Sequence, residues 1–294
     1  MFIQYLWFGL VRFYLMFEAP VDTWVKNVGI ALCFLICAIV PYLLGQLNFA
    51  IILSKRLFGV DVRNYGSGNG GATNMLRTFG KKAGLVTLLG DMGKAIVSCL
   101  IGYILCGRLG AFIAGLFCIL GHTMPIKYKF KGGKGVACVA AVILMTDLGN
   151  VIHVPVVFLA LLIIFAIIAL GLKYVSLASV MCMFIYPIIL YNVEMLFADM
   201  VKDASGTPVV NTEMGLYNII ALLMALLIVF MHRENIKRLL NGTESKLDLS
   251  KKSKPIYEAE SENSPAETAE EPIEEKESKP NPNTSKKKIK RNKK

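Results

Sequence analysis

The stretch VGIALCFLICAIVPYLLGQLNFAIIL, residues 28–53, holds no Asp, Glu, Lys or Arg, and it runs into SKRLFGVDVRNYGSGNGGATNMLRTFGKK, residues 54–82, where Lys55, Arg56, Arg63, Arg77, Lys81 and Lys82 gather. An apolar run of that length crosses a hydrocarbon core about 30 Å thick as a helix. A cationic loop directly after it marks the side on which Lys and Arg are retained, the cytoplasmic one.

Working outward, apolar runs of similar kind recur at 84–106, 109–126, 135–150, 151–171, 175–193 and 214–231, the fourth short and divided from the fifth only at Gly149 and Asn150. The pattern predicts an all-α polytopic integral membrane helical bundle with about seven transmembrane helices. A composition 55% hydrophobic and only 18% charged agrees, as does a mean hydropathy of +0.55. The formal charge of +11 does not imply nucleic acid as a partner, because within the membrane part the cations sit in short loops between apolar runs.

Those loops alternate. Lys127, Lys129, Lys131 and Lys134 follow the third run, Lys173 the fifth, and Arg233, Lys237 and Arg238 the seventh; the opposite loops carry Arg108 alone, then nothing around Gly149, then Glu194, Asp199, Lys202, Asp203 and Glu213. The expectation is a multi-pass protein of the cell (plasma) membrane with the amino terminus outside and the carboxyl tail cytoplasmic. Residues 28–247 form the membrane domain. Residues 1–27 form an amino-terminal extension, interrupted by Arg12 and read as an interfacial helix, with Met16 as a second possible start; residues 248–294, a Ser/Glu/Pro stretch ending in Lys286, Lys287, Lys288 and further cations, form a disordered cytoplasmic tail. The seven cysteines lie in or beside apolar runs without paired CxxC spacing and read as buried thiols, so no metal is expected.

Four polar patches fall on the inner side. In the first, Ser67, Gly68, Asn69, Thr73 and Asn74 surround small residues that let backbone amides approach an anion, and Arg77 adds a forked cation. Gly66, Gly68 and Gly71 imitate a dinucleotide fingerprint, but a membrane helix stands where the strand should be. In the second, Lys131, Gly132, Gly133 and Lys134 precede a helix and read as an anion nest. The third is Ser176, with two readings, a helix N-cap or a substrate contact. The fourth places His232, Asn235 and Arg238 on one helical face. Asp91 and Lys94 lie near this grouping, either paired with each other or functional, while His122 reads as structural and His153 as a lone interfacial histidine. One active site at the cytoplasmic face accounts for all four patches.

SGNGGATNMLRTFGKKAG followed by DMGK, GHTMP with FKGGKGVA, KYVSL and HRENIKRLLNG, in this order, resembles the motif set of the bacterial acyl-phosphate:glycerol-3-phosphate acyltransferases, the PlsY-type membrane family, over about residues 28–247. The resemblance implies a seven-helix enzyme of phospholipid biosynthesis that moves a fatty acyl group from acyl phosphate to glycerol 3-phosphate, giving lysophosphatidic acid and inorganic phosphate. It implies no cofactor, and as partners the two substrates, membrane lipid and the enzyme that supplies acyl phosphate. By motif, His232, Lys134, Ser67 and Arg77 become catalytic, and Gly68, Asn69, Thr73, Asn74, Lys131, Gly132, Gly133, Ser176, Asn235 and Arg238 substrate-binding. Whether His232 or a substrate phosphate takes the hydroxyl proton stays open, with substrate assistance favoured. Gly70 departs from the bulkier residue or proline the family often has there. The alternative is a transporter or channel for a small phosphorylated anion, which would place polar groups at the bilayer midplane or on both sides; a nonenzymatic scaffold is a third reading.

Overall fold

A computed structural model describes Gly9 and residues 23–148, 155–200 and 213–247. The expectations for the rest of residues 1–22, for His153, for Lys202 and Asp203, and for the tail beyond 247 lie outside these residues. Helix α1, Thr23–Gly45, is followed by α2, Phe49–Phe58, α3, Ala72–Phe79, and α4, Lys81–Thr123; then come α5, Val136–Leu148, α6, Val156–Gly171, α7, Val175–Met200, α8, Met214–Met231, and α9, Arg233–Leu240. Among the described residues every regular element is a helix, as the hydrophobic patterning requires, since lipid offers backbone groups no partners.

Four described segments, 24–58, 81–128, 175–197 and 214–231, are long and apolar enough to cross a membrane, while α5 and α6 are apolar but shorter. The expected spans 84–106 and 109–126 form one element, α4, broken at Cys106 and at Gly107, whose φ of 63° and ψ of −153° turn the chain back on itself. The halves meet at Gly102 and Gly110, where a Cβ on either would strike the other's carbonyl oxygen. The first run ends at Gly45, because the Asn48 side chain accepts from Ile51 N at 3.0 Å and opens α2. Helix α1 starts at Thr23, ahead of the expected boundary at 28.

Helices α4 to α8 enclose the main core, where Phe112 stacks on Tyr217 at 4.9 Å. Arg108, expected in an outer loop, is instead buried: it pairs with Glu194 at 2.6 Å, donates from Nε to Thr146 O at 2.8 Å and lies over the Tyr217 ring. A second core, Ala50, Val62, Met75, Phe79 and Ala83, seats α2 and α3 beside the start of α4, with Phe58 stacked on Phe79. This small core holds the polar loop of residues 60–71 against the membrane helices.

Candidate active site

Helix α3 turns Met75 and Phe79 into the small core and therefore Thr73 and Arg77, four residues apart, toward a cavity of about 650 Å³. The preceding loop is held from beneath by Asn74, which is buried and spends every polar atom on the backbone. Its Nδ2 donates to the carbonyls of Val62, Tyr65 and Asn69, each at 3.0 Å, and its Oδ1 accepts from Ser67 N at 2.9 Å. Asn48 Nδ2 adds a bond to Gly70 O at 2.9 Å. Ser67 and Asn69 are thereby set at the cavity wall.

Opposite them stand Lys134, Ser176, His232, Asn235 and Arg238. Lys134 Nζ donates to Asn235 Oδ1 at 2.6 Å, and Asn235 Nδ2 donates to Glu244 Oε1 at 2.7 Å. Glu244 also accepts from Ser176 Oγ at 2.8 Å and from Arg238 Nε at 2.8 Å, so one carboxylate fixes three side chains from two helices. Ser176 is therefore no N-cap: α7 opens one residue earlier, and its hydroxyl serves Glu244. Residues 241–247 close this side, Arg77 Nη2 donating to Ser245 O at 3.3 Å and Leu247 N to Lys173 O at 2.6 Å.

Burial, reinforced by the positive neighbours Arg238 and Arg77, pushes Lys134 down from the usual lysine value to about 8. Burial likewise pulls His232 down to about 4. Its Nδ1 lies 2.8 Å from Ile228 O, and because a carbonyl can only accept, Nδ1 carries the proton and Nε2 is the ring's free acceptor. For Glu244, burial acts to raise the carboxyl, but the bonds from Arg238, Asn235 and Ser176 outweigh it and hold it below its ordinary value.

Of the residues expected from the motifs, Ser67, Asn69, Thr73, Asn74, Arg77, Lys134, Ser176, His232, Asn235 and Arg238 line one cavity. Gly68, Lys131, Gly132 and Gly133 are not among its lining. Lys131 points to solvent, and its carbonyl accepts from Arg63 Nη1 at 3.0 Å. The Gly-Gly pair packs against His122: a Cβ on Gly132 would strike the His122 carbonyl oxygen and one on Gly133 the imidazole Nε2, so close packing explains the glycines without an anion. Glu244, Asn48 and Ser245 escaped the motif reading, Glu244 despite standing just after the basic helix. Among the described residues no group of three or more His, Cys, Asp or Glu is placed to hold a metal.

The cavity is divided by chemistry. Arg77, Lys134 and Arg238 crowd one end, while Leu88, Met92, Ile143, Phe158, Leu161 and Phe165 line much of the rest. One end suits a phosphate and the other a hydrocarbon chain. Fold and cavity together define an integral membrane protein built to hold an amphiphile with an anionic head.

The family description Glycerol-3-phosphate acyltransferase matches residues 35–242. A curated glycerol-3-phosphate acyltransferase of Finegoldia magna is 39% identical over 214 residues, covering 72% of this chain and 96% of that protein. One of Clostridioides difficile is 39% identical over 225 residues, covering 74% and 97%. The crystal structure of PlsY, an integral membrane glycerol 3-phosphate acyltransferase in its glycerol 3-phosphate form, superposes with a TM-score of 0.59 at 35% identity, over 73% of this chain and 96% of that one. Its lysophosphatidic acid form gives 0.58 at 33% identity. The chain belongs to the glycerol-3-phosphate acyltransferase family.

Proposed function

We propose that this acyltransferase forms lysophosphatidic acid from glycerol 3-phosphate in the cavity described above, with acyl phosphate as the donor and inorganic phosphate as the second product. The observation that carries the reading is the convergence of Arg77, Lys134 and Arg238 on one end of a cavity lined for the most part by apolar side chains. Relatives are named for glycerol 3-phosphate, and the similar solved structures hold it and lysophosphatidic acid. The donor class is an inference from chemistry: a carboxylic–phosphoric anhydride is already activated, and the described residues offer cations and hydrogen-bond donors rather than a serine or cysteine paired with a basic imidazole.

In the proposed reaction the primary hydroxyl oxygen of glycerol 3-phosphate bonds to the acyl carbonyl carbon, and the bond from that carbon to the bridging oxygen breaks, releasing phosphate. Lys134, Arg77 and Arg238 neutralise phosphate oxygens, Lys134 oriented by Asn235 and Arg238 by Glu244. Ser67, Asn69 and Thr73 supply donors from the facing loop. A histidine held at about 4 is a poor base at neutral pH, whereas a phosphate monoester with a second pKa near 6 is a better one. The hydroxyl proton therefore goes to substrate phosphate, and His232 Nε2 accepts a hydrogen bond. This reading takes seven membrane crossings, counting both halves of α4, and, because Lys and Arg gather in the loops on the site's side, sets the site at the cytoplasmic face of the plasma membrane, where an acyl-phosphate-forming enzyme would deliver the donor. Residues 28–247 make up the catalytic unit in this reading.

The test is conversion of labelled glycerol 3-phosphate by the purified protein in lipid, offered palmitoyl phosphate or palmitoyl-CoA. Labelled lysophosphatidic acid from palmitoyl phosphate alone, lost in Lys134→Ala, is expected. Product from palmitoyl-CoA alone would overturn the donor assignment.

A further inference from the structure

Below the groups assigned to the reaction, Asp91, Lys94 and His122 are packed together almost without solvent, at 1%, 6% and 2% exposure. Asp91 and His122 reach the cavity wall. A pair serving only α4 would need no more than the Asp91–Lys94 contact of 2.8 Å, one helical turn apart. Lys94 instead directs its three protons to Gly45 O at 3.0 Å, Leu47 O at 2.7 Å and His122 Nδ1 at 2.8 Å and meets Asp91 as an ion-pair contact, so a single ammonium joins the end of α1, the loop after it and both halves of α4.

An ammonium can only donate, so His122 Nδ1 accepts and the opposite edge of the ring is directed elsewhere. That edge is where Gly133 rests, its missing Cβ replaced by contact with His122 Nε2, while Gly133 N donates to His122 O at 3.1 Å. On that same side Gly133 abuts Gly70 O, the carbonyl held by Asn48. The imidazole is thus the surface on which the 132–134 turn meets the 66–74 loop. Lys134 is the next residue along.

We infer that Asp91, Lys94 and His122 form a positioning unit that sets the Lys134 turn against the 66–74 loop, so that ammonium and loop donors address the same anion. The inference rests on the reading that Lys134 serves acyl transfer. None of the three needs to touch the reacting atoms. A buried ion pair replaced as a whole by apolar residues often leaves stability unchanged, whereas its loss as a positioning device does not leave geometry unchanged.

The deciding variant is therefore Asp91→Leu/Lys94→Met, which leaves no unpaired charge. It is expected to remain folded in detergent but to unfold at a lower temperature than the parent, because Gly45 O, Leu47 O and His122 Nδ1 lose their donor, and to lose turnover by about 100-fold, the scale at which misplacement by about 1 Å is felt. Gly133→Ala, which keeps all three groups but forces the turn off the imidazole, is expected to show a similar loss, and the combined variant no more than either alone, because both act through one turn. Parental turnover in the folded pair variant, or losses that multiply, would overturn the inference. If the pair variant is not recovered folded, Gly133→Ala decides alone, and turnover within about threefold of the parent overturns it. Lys134→Ala run in parallel separates the two claims: parental turnover there removes the reading of the site, while its inactivity beside an active pair variant removes only the positioning unit.

Discussion

Lys134 is held near 8 mainly because its ammonium is buried, with Arg77 and Arg238 adding repulsion. If that charge neutralises phosphate, kcat/KM for glycerol 3-phosphate falls as pH rises through about 8, and Lys134→Arg moves the fall to higher pH because guanidinium stays charged. An alkaline limb unmoved in the arginine variant would assign it to another group. The stability sign is opposite to that of an ordinary paired lysine. Between about 8 and the unfolded value of 10.5 the unfolded chain binds more protons at this position, so folding gains stability with rising pH across that window. Asn74 gives a second residue-scale expectation. Its Nδ2 ties together three loop carbonyls, each of which also accepts a backbone N–H, so Asn74→Ala should lower stability by about 1–2 kcal/mol through the lost bonds rather than through orphaned carbonyls, measured by thermal unfolding in detergent. Most of these residues were legible in the sequence because donors, small residues and cations cluster where no apolar run needs them. Glu244 was not, since its partners lie 9, 6 and 68 positions away and meet only when the chain doubles back. Gly132 and Gly133 were legible as important but for another reason, since close approach to a neighbour and approach to an anion leave the same residue type behind.

At the scale of elements, hydropathy marked the apolar segments well and their ends poorly. Asn48 did not stop the run from averaging apolar, yet it ends the first membrane helix and starts a short one, because capping is a matter of one side chain and one amide. The turn inside α4 was visible as an interruption at residues 107 and 108, but the burial of Arg108 was not, since its partner Glu194 comes from a helix far along the chain. The turn itself makes a prediction. Gly110→Val places side-chain carbon against the Gly102 carbonyl and should separate the two halves, lowering the unfolding temperature markedly, whereas Gly29→Ala, with nothing within 4 Å, should leave it level or slightly raised. Equal effects would mean that the halves are not held by this contact.

For the whole molecule, what sequence could not show is that four patches separated by up to about 170 residues line one cavity with an apolar floor; that is a property of how α3 to α9 pack. The last stretch of the described chain closes it. Residues 241–247 bring Glu244 to Ser176, Asn235 and Arg238, present Ser245 O to Arg77 and end with Leu247 N on Lys173 O. If residues 28–247 are the catalytic unit, a chain ending at Leu247 should retain parental turnover in lipid. A chain ending at Asn241 keeps α9 but leaves Arg238 without its carboxylate and Lys134 with an unrestrained Asn235, and its turnover should fall by about 100-fold or more through lost orientation. Loss of turnover already at the Leu247 end would place part of the enzyme in the charged tail, and equal activity of both would mean that Glu244 does not organise the site.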